Sequence, residues 1–318
     1  MKCQKELVSI RSTMWYCIVN HLGSDLELHN WIIKMKNMKS IGISVFLLFL
    51  AIGSYAQGAW PKAQNEGFFK LSQSVIVSDA FYSPEGSIQD IKTAGVYISS
   101  IYAEYGLTDK LTAVAFVPFF FRNTINRQEF EVSTNVEEGD ESNSFGDFNV
   151  GLQYGLLQKG PFVLSTSLLL GVPSGETAGG ESMILQSGDG EFNQLLRLHA
   201  GYSFYPKPFY AAAYVGVNNR TKDFSDEFHF GLEAGAAFPN GFFAALKLSV
   251  VESFMNGEAI ASQTGIFSNN TEFISFGPEL AYSFGNNWSV SGSALGAFSG
   301  QNILASPMFS LGIVYELK

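Results

Sequence analysis

The sequence predicts an all-β protein, a transmembrane antiparallel up-and-down β-barrel of about 12 strands. Three observations lead to this prediction. Apolar and polar residues alternate with a period of two, short and long connections alternate along the chain, and aromatic residues recur beside the short connections. A period of two is that of a strand, whose successive side chains point to opposite faces. A tilted strand of about 11 residues is long enough to cross a bilayer.

The hairpin 95–122 shows the alternation most clearly, with two runs flanking a short turn at 107–110. Both runs are too polar and too rich in Gly and Ser for a transmembrane helix, so the hairpin fits one unit of a barrel wall. The second run divides into an apolar and a mixed face: Leu111, Ala113, Ala115, Val117, Phe119 and Phe121 against Thr112, Val114, Phe116, Pro118, Phe120 and Arg122.

Similar segments continue to the C-terminus. The candidate strands are 67–77, 95–106, 111–122, 145–157, 162–172, 193–205, 209–219, 227–238, 242–252, 271–284, 288–298 and 305–317. Short turns lie at 107–110, 158–161, 206–208, 239–241 and 285–287, and longer connections at 78–94, 123–144, 173–192, 220–226, 253–270 and 299–304. This alternation is typical of outer-membrane barrels, which have short periplasmic turns and longer extracellular loops.

Aromatic side chains flank five of the short turns. Such rings favour the headgroup level of a membrane, so their repetition predicts an interfacial girdle at one rim of the barrel. The residues are Tyr105, Tyr154, Phe162, Phe204, Phe209, Phe238, Phe242, Phe284 and Trp288.

The composition suits a wall between lipid and water, since 46% of the residues are hydrophobic and only 15% are charged. A net charge of −10 argues against nucleic acid as a partner, and we expect outer-membrane lipid and lipopolysaccharide to surround the protein. The sequence contains no phosphate-binding loop and no dinucleotide-binding fingerprint, so we expect no cofactor.

The residues before the barrel predict targeting to the outer membrane of a Gram-negative cell. Residues 38–56 form a signal peptide, with a positive start at Lys39, an apolar core and small residues before Gln57. We expect a short periplasmic leader at 57–66 and the outer-membrane β-barrel at 67–318.

Residues 1–37 do not fit such a signal, and we interpret them as an upstream extension produced by a start codon assigned too early. Both cysteines, Cys3 and Cys17, lie in this extension. The barrel itself therefore has neither disulfides nor thiolate metal sites.

The last strand carries a polar–Gly–aromatic–apolar spacing in Ser310, Gly312, Tyr315 and Leu317. By itself this spacing indicates only an amphipathic edge strand. Its similarity to the C-termini of many outer-membrane proteins implies a signal for the barrel-assembly machinery, although Lys318 follows the pattern as a small departure.

Four short motifs, at 105–112, 117–119, 146–154 and 171–175, resemble the outer-membrane barrels catalogued as "MetA-pathway of phenol degradation". The resemblance implies a transporter-like channel or uptake protein for a small solute, hydrophobic and aromatic ones included, and no catalytic residue. Related long-chain fatty-acid transporters have a long N-terminal plug. Here only the segment 57–66 precedes the first strand, which argues against such a hatch.

We expect the mixed faces to line the lumen. Their charged side chains either select solutes or pair with one another and close the pore. Glu233 and Glu279 outnumber Lys247 on neighbouring strands, which predicts a modest preference for cations. The candidate lining residues are Lys70, Glu104, Arg122, Asp147, Arg197, His199, Glu233, Lys247 and Glu279, together with Glu316.

Two other functions remain open: a closed structural barrel and an outer-membrane lipid hydrolase. The hydrolase is the less favoured because His199 and His229 are predicted to face the lumen, away from lipid. The two histidines also lack a third ligand of suitable spacing, so we expect no metal site. The acidic loop 123–144 either binds divalent cations or is simply solvated, and the second is the commoner case.

Overall fold

The computed structural model describes residues 58–129, 136–238, 240–258 and 270–318. The signal peptide and the upstream extension lie outside these residues. The strands are β1 (Gly67–Tyr82), β2 (Ile88–Gly106), β3 (Leu111–Ile125), β4 (Gln128–Glu129), β5 (Val136–Glu137), β6 (Asp140–Ser144), β7 (Phe148–Lys159), β8 (Phe162–Val172), β9 (Asn193–Ser203), β10 (Phe209–Arg220), β11 (Glu227–Ala237), β12 (Phe242–Ser253), β13 (Glu272–Gly285), β14 (Trp288–Gln301), β15 (Ile303–Leu304) and β16 (Met308–Leu317).

Twelve of these strands are long, and each pairs antiparallel with its neighbours in chain order, apart from the short β4, β5, β6 and β15. The sheet closes because β1 pairs with β2 on one side and with β16 on the other. The described residues contain no helix long and apolar enough to cross a membrane.

The burial pattern is the reverse of that in a soluble protein. Buried positions on the long strands include Thr112, Gln153, Ser165, Ser167 and His199. Their neighbours in sequence point the other way and are mostly apolar and more exposed, as expected for a wall that faces lipid outside and polar groups inside. These outward side chains include Leu152, Leu168, Leu196, Leu198, Leu232, Leu246, Leu280 and Leu311.

Short turns gather at one end of the barrel and long connections at the other, which identifies the periplasmic and extracellular ends. Seven of the nine aromatic residues predicted to form a girdle at the periplasmic end are exposed, whereas Tyr105 is half-buried and Phe209 has 9% of its surface accessible. At this rim Trp288 packs against Tyr315 and Phe242 against Tyr282, with ring centroids 4.8 and 4.7 Å apart.

Two of the predicted extracellular loops are shorter than expected because the strands beside them continue. β1 extends to Tyr82 and β2 begins at Ile88, so the predicted loop 78–94 reduces to a tight turn. The predicted loop 123–144 contains the end of β3, the β4–β5 hairpin and β6. Where a strand projects past the membrane into solvent, its outer face need not be apolar. The alternation of apolar and polar residues therefore stops before the strand itself ends.

A β-bulge in β3 overturns one predicted lining residue. Ser99 pairs with Phe120 while Ile101 pairs with Val117, so β3 has one extra residue at this point. The extra residue reverses the alternation, since a slip of one residue moves every later side chain to the other face. Phe121 therefore points inward with 5% of its surface exposed, and Arg122, predicted to line the lumen, lies on the opposite face.

Candidate functional site

Inward-facing charges on the middle of the wall form a chain of ion pairs that we call the lumen belt. Lys70 Nζ lies 2.7 Å from Glu279 Oε1, and Lys247 Nζ lies 2.5 Å from Glu279 Oε2 and 3.4 Å from Glu233 Oε2. The register explains the last contact, because Glu233 and Lys247 are direct cross-strand partners. The belt thus links β1, β13, β12 and β11 through alternating charges.

Two tyrosines extend the belt in both directions. The Tyr210 hydroxyl donates to Glu233, and the Tyr102 hydroxyl donates to Glu104 Oε1 over 2.5 Å. Glu104 is almost fully buried, with 2% of its surface exposed. Each carboxylate of the belt therefore has a charged or hydroxyl partner, as buried acidic groups require.

The segment just before β1 lies inside the barrel, which corrects the prediction of a periplasmic leader. The carbonyl oxygens of Gly58 and Ala59 accept hydrogen bonds from the buried side chains of Gln153 and Ser165, both at 2.8 Å. We call residues 58–66 the inner segment. It occupies part of the lumen that the short leader was expected to leave free.

Two further residues of the inner segment contact the wall. The ring of Trp60 packs edge-on against Tyr210, with centroids 5.9 Å apart, and lies so close to Gly201 that an added Cβ would come within 2.5 Å of it. Lys62 Nζ lies 3.4 Å from Glu104 Oε2 and adds a cation to the lumen belt. Residues 58–66 have no periodic pattern from which these contacts could be predicted.

Arg197 projects into the lumen from β9 without a carboxylate partner among the described residues. Its guanidinium carbon lies 4.7 Å from the ring centroid of Tyr214, a cation–π contact. Its buried Nε–H has no hydrogen-bond acceptor in the described part of the chain. The side chain crosses over Gly216, where an added Cβ would come within 2.7 Å of Arg197 Cγ.

His199 is buried beside Arg197 and shares a hydrogen bond of 2.8 Å with Ser167 Oγ through Nε2. A Ser–His pair is half of a hydrolytic site, which further requires a group that orients the imidazole and an accessible nucleophile. Ser167 is only 5% exposed and faces the lumen rather than lipid. His229 is a separate case, since its Nε2 lies 2.9 Å from Glu227 Oε2.

A cavity of about 250 Å³ lies next to Arg197 at mid-height in the lumen. At about 30 Å³ per water molecule, it has room for roughly eight waters or one small organic molecule. Its polar lining comes from the wall, and Gly58 and Ala59 of the inner segment form one side. The polar and charged lining residues are Tyr102, Arg197, His199, Tyr214, Glu233, Lys247 and Ser249.

Arg220 is the centre of a second group of charges, the Arg220 cluster, at the extracellular end of β10. Its guanidinium nitrogens contact carboxylate oxygens of Asp189, Glu191 and Glu227 at 2.8, 3.1 and 2.8 Å. Burial raises the pKa of Asp189 and of Glu191 despite the attraction of the arginine. The cluster holds the connection 173–192 against the wall.

Asp147, another predicted lining residue, also fixes this connection. Its two carboxylate oxygens accept hydrogen bonds from the backbone N–H groups of Gly175 at 2.7 Å and Asp189 at 3.0 Å. Between the connection and the wall lies an apolar cavity of about 330 Å³. Its lining includes Phe81, Ile91, Val96, Leu185 and Leu304.

The remaining predicted residues lie near the two rims. Arg122 forms an ion pair with Glu141 of the acidic loop 123–144, and Glu316 lies 3.1 Å from Lys318 Nζ. No group of three or more His, Cys, Asp or Glu residues in the described ranges is arranged to hold a metal ion.

Three residues of the predicted assembly signal have defined contacts along β16. Ser310 Oγ lies 2.7 Å from Ser74 Oγ, Gly312 faces Lys70, and Tyr315 packs on Trp288. Leu317 pairs with Gly67 at the closing seam. The role of these residues in assembly stays a prediction.

Comparison with known proteins agrees with the fold. The sequence model of a family described as "Putative MetA-pathway of phenol degradation" matches residues 72–312. Among solved structures, the COG4313 outer membrane channel from Pseudomonas putida F1 is similar, with 14% identity, a TM-score of 0.56, and coverage of 83% of this chain and 99% of that one. A search of curated proteins gave no match.

Two further structures have lower scores. The toluene transporter TbuX from Ralstonia pickettii has 10% identity and a TM-score of 0.40, over 84% of this chain and 96% of its own. The translocator domain of the autotransporter NalP from Neisseria meningitidis has 10% identity and a TM-score of 0.45, over 80% and 89%. At these scores the two similarities say nothing about function. The predicted barrel fold and the outer-membrane location are confirmed.

Proposed function

Because the chain belongs to the family described as "Putative MetA-pathway of phenol degradation", and its fold is an outer-membrane β-barrel, we propose that it is a channel for a small organic solute. The observation that carries the proposal is the lumen belt around the cavity beside Arg197. Charged groups that surround a cavity inside a barrel provide a path for water and polar solutes across the hydrocarbon layer.

The two cavities support a route with two environments. The extracellular cavity is largely apolar, with Phe81, Val96 and Leu304 among its lining residues, whereas the cavity at mid-height is bordered by charged and hydroxyl groups. A small solute with an apolar part and a polar group matches both. The inner segment and the ion pairs narrow the lumen, so the proposal is a restricted channel rather than a wide pore.

Planar bilayers containing the purified protein test the proposal. We expect discrete conductance steps in potassium chloride, and swelling of proteoliposomes in small organic solutes, because the lumen then holds a continuous water path. Protein unfolded by heating before reconstitution is the control. Absence of both steps and swelling would support the closed structural barrel, and release of fatty acid from phospholipid or lipid A would support the hydrolase.

A further inference from the structure

Arg197 is the exception in the charge pairing of the lumen. Lys62, Lys70 and Lys247 each lie within 3.4 Å of a glutamate oxygen, whereas Arg197 has no such partner among the described residues. The belt therefore contains three lysines and the three carboxylates of Glu104, Glu233 and Glu279, and Arg197 beside it is a fourth cation. The sequence predicted a cation preference from Glu233 and Glu279, and it missed Lys62 because the inner segment was not expected inside.

A buried N–H group without an acceptor is costly, since it loses water and gains no replacement, and the Nε–H of Arg197 is such a group. The Tyr214 ring compensates for part of the charge but cannot accept the buried Nε–H in the plane of the guanidinium. Glu233 lines the same cavity, but its carboxylate pairs with Lys247 and Tyr210 and forms no ion pair with Arg197 among the described residues. An anionic ligand in the adjoining cavity would supply the missing acceptor.

We propose that Arg197 and the cavity beside it bind the carboxylate group of a small organic anion on its way through the barrel. This inference rests on the proposed channel function and names the class of its solute. The planar fork of an arginine matches the two oxygens of a carboxylate and favours that group over a spherical ion. Ser249 lines the same cavity and offers one further hydroxyl donor.

The shape of the site favours an organic anion over an inorganic one. The cavity of about 250 Å³ is larger than a single halide or phosphate needs, and Ala212 provides an apolar surface beside the charged groups. Benzoate is a suitable probe, because it joins a planar carboxylate to an apolar ring. Benzyl alcohol has the same ring without the charge, and inorganic phosphate has the charge without the ring.

Equilibrium dialysis of labelled benzoate against the purified, detergent-solubilised protein measures this site without requiring transport. We expect saturable binding to the wild-type protein, competition by unlabelled benzoate, and little competition by benzyl alcohol or phosphate at equal concentration. Competition by benzyl alcohol as strong as that by benzoate would overturn the proposal without any variant. Competition by phosphate as strong as that by benzoate would also overturn the proposal, because the site would then bind inorganic anions equally well.

Arg197→Gln should weaken benzoate binding by at least about tenfold, since charge-assisted hydrogen bonds are lost. Arg122→Gln is the matched control: it removes an arginine outside the lumen and should leave binding unchanged. Ser249→Asp is a second variant that keeps Arg197 and should also abolish binding by placing a competing carboxylate in the cavity. The heat-dependent gel shift of folded barrels checks that each variant has assembled.

The outcomes separate this inference from the channel proposal. If benzoate binding depends on Arg197 but the protein shows no conductance, the carboxylate site is supported and the channel function is contradicted. If the protein conducts but neither Arg197→Gln nor Ser249→Asp affects benzoate binding, the channel function is supported and the carboxylate site is contradicted. In a conducting protein, a gradient of potassium benzoate should also shift the reversal potential toward the anion in wild type and less so in Arg197→Gln.

Discussion

The lumen beside the belt and the Arg220 cluster each contain an arginine, and the two are in opposite situations. Both guanidinium groups lie over an aromatic ring, Arg197 over Tyr214 and Arg220 over Phe224, at 4.7 and 4.4 Å. Arg220 also contacts three carboxylates, while Arg197 contacts none in the described residues. The hydrogen-bonding groups of Arg220 are therefore satisfied by its own chain. Those of Arg197 are available to a ligand.

The difference indicates what each arginine does. The partners of Arg220 come mainly from the connection 173–192, so the cluster fixes an extracellular segment in place. Arg197 fixes no segment and borders a cavity. Burial and charge are therefore insufficient to identify a structural arginine, and the partners of its N–H groups decide between the two roles.

Arg220→Ala should produce the largest effect on stability. Removing the guanidinium leaves the carboxylates of Asp189, Glu191 and Glu227 close together and uncompensated, which should lower the free energy of unfolding by about 3–5 kcal/mol. Urea unfolding of the reconstituted barrel, followed by tryptophan fluorescence, measures the change. Arg122→Ala is the control and should cost about 1 kcal/mol or less, since its ion pair with Glu141 is exposed. An equal loss of unfolding free energy in the two variants would show that the Arg220 cluster is no more important to stability than an exposed ion pair.

Trp60→Ala should affect the region of Arg197 and leave the Arg220 cluster unchanged. Without the ring that packs on Tyr210, the inner segment loses a major contact inside the lumen, and single-channel conductance should rise by about twofold or more. Trp288→Ala, at the lipid-facing rim, is the matched control and should leave conductance as in wild type. Unchanged conductance in Trp60→Ala would mean that the inner segment does not restrict the path.

Arg197→Met sharpens the comparison from the stability side. Methionine retains much of the length and apolar surface of the side chain, and no carboxylate is left without its partner. The free energy of unfolding should therefore stay within about 1 kcal/mol of wild type. A loss of about 3 kcal/mol or more, as expected for Arg220, would show that Arg197 is a structural residue.

Asp140 holds the connection 173–192 at a second point, away from the Arg220 cluster. Its protonation should have the smallest effect of the changes considered. Hydrogen bonds from the Ser182 hydroxyl, and from the backbone N–H groups of Ser182 and Glu181, lower the pKa of Asp140 below its usual 3.8. A lowered pKa means that this contact is fully present above pH 3.8 and is lost as the pH falls through the lower value.

Hydrogen exchange of the Glu181 and Ser182 amides, corrected for its intrinsic pH dependence, measures this contact. Protection should be present at neutral pH and decline below pH 3.8. Asp140→Asn should reduce protection at neutral pH and remove most of the pH dependence. Protection that is constant down to the lowest pH at which the barrel stays folded would contradict this assignment.

Elements defined by local periodicity could be predicted from the sequence, including the twelve long strands and the short turns. The proximity of Glu233, Lys247 and Glu279 was also predictable, because neighbouring strands of a hairpin bring alternate residues to one face. The bulge in β3 could not be predicted. Both faces of this strand are apolar near Pro118, so an extra residue there does not change the visible pattern. Arg122 was misplaced for this reason.

The inner segment and the Arg220 cluster depend on contacts between parts of the chain that no repeat relates. Residues 58–66 show no alternation, and their place in the lumen comes from hydrogen bonds to Gln153 and Ser165 far along the sequence. The carboxylates around Arg220 come from a connection whose sequence is rich in Gly, Ser and acidic residues, which indicates a loop but not its path. Packing of this kind needs three-dimensional structure.

The inner segment is joined directly to β1, and this tether makes it an intramolecular competitor. A short tether holds a segment near its site at an effective concentration on the order of millimolar. Gly58 and Ala59 border the cavity beside Arg197, so a solute that needs more of this space must displace a neighbour that cannot diffuse away. In the proposed channel this competition would weaken retention of the solute, and fast release, rather than tight capture, is what a conducting path requires.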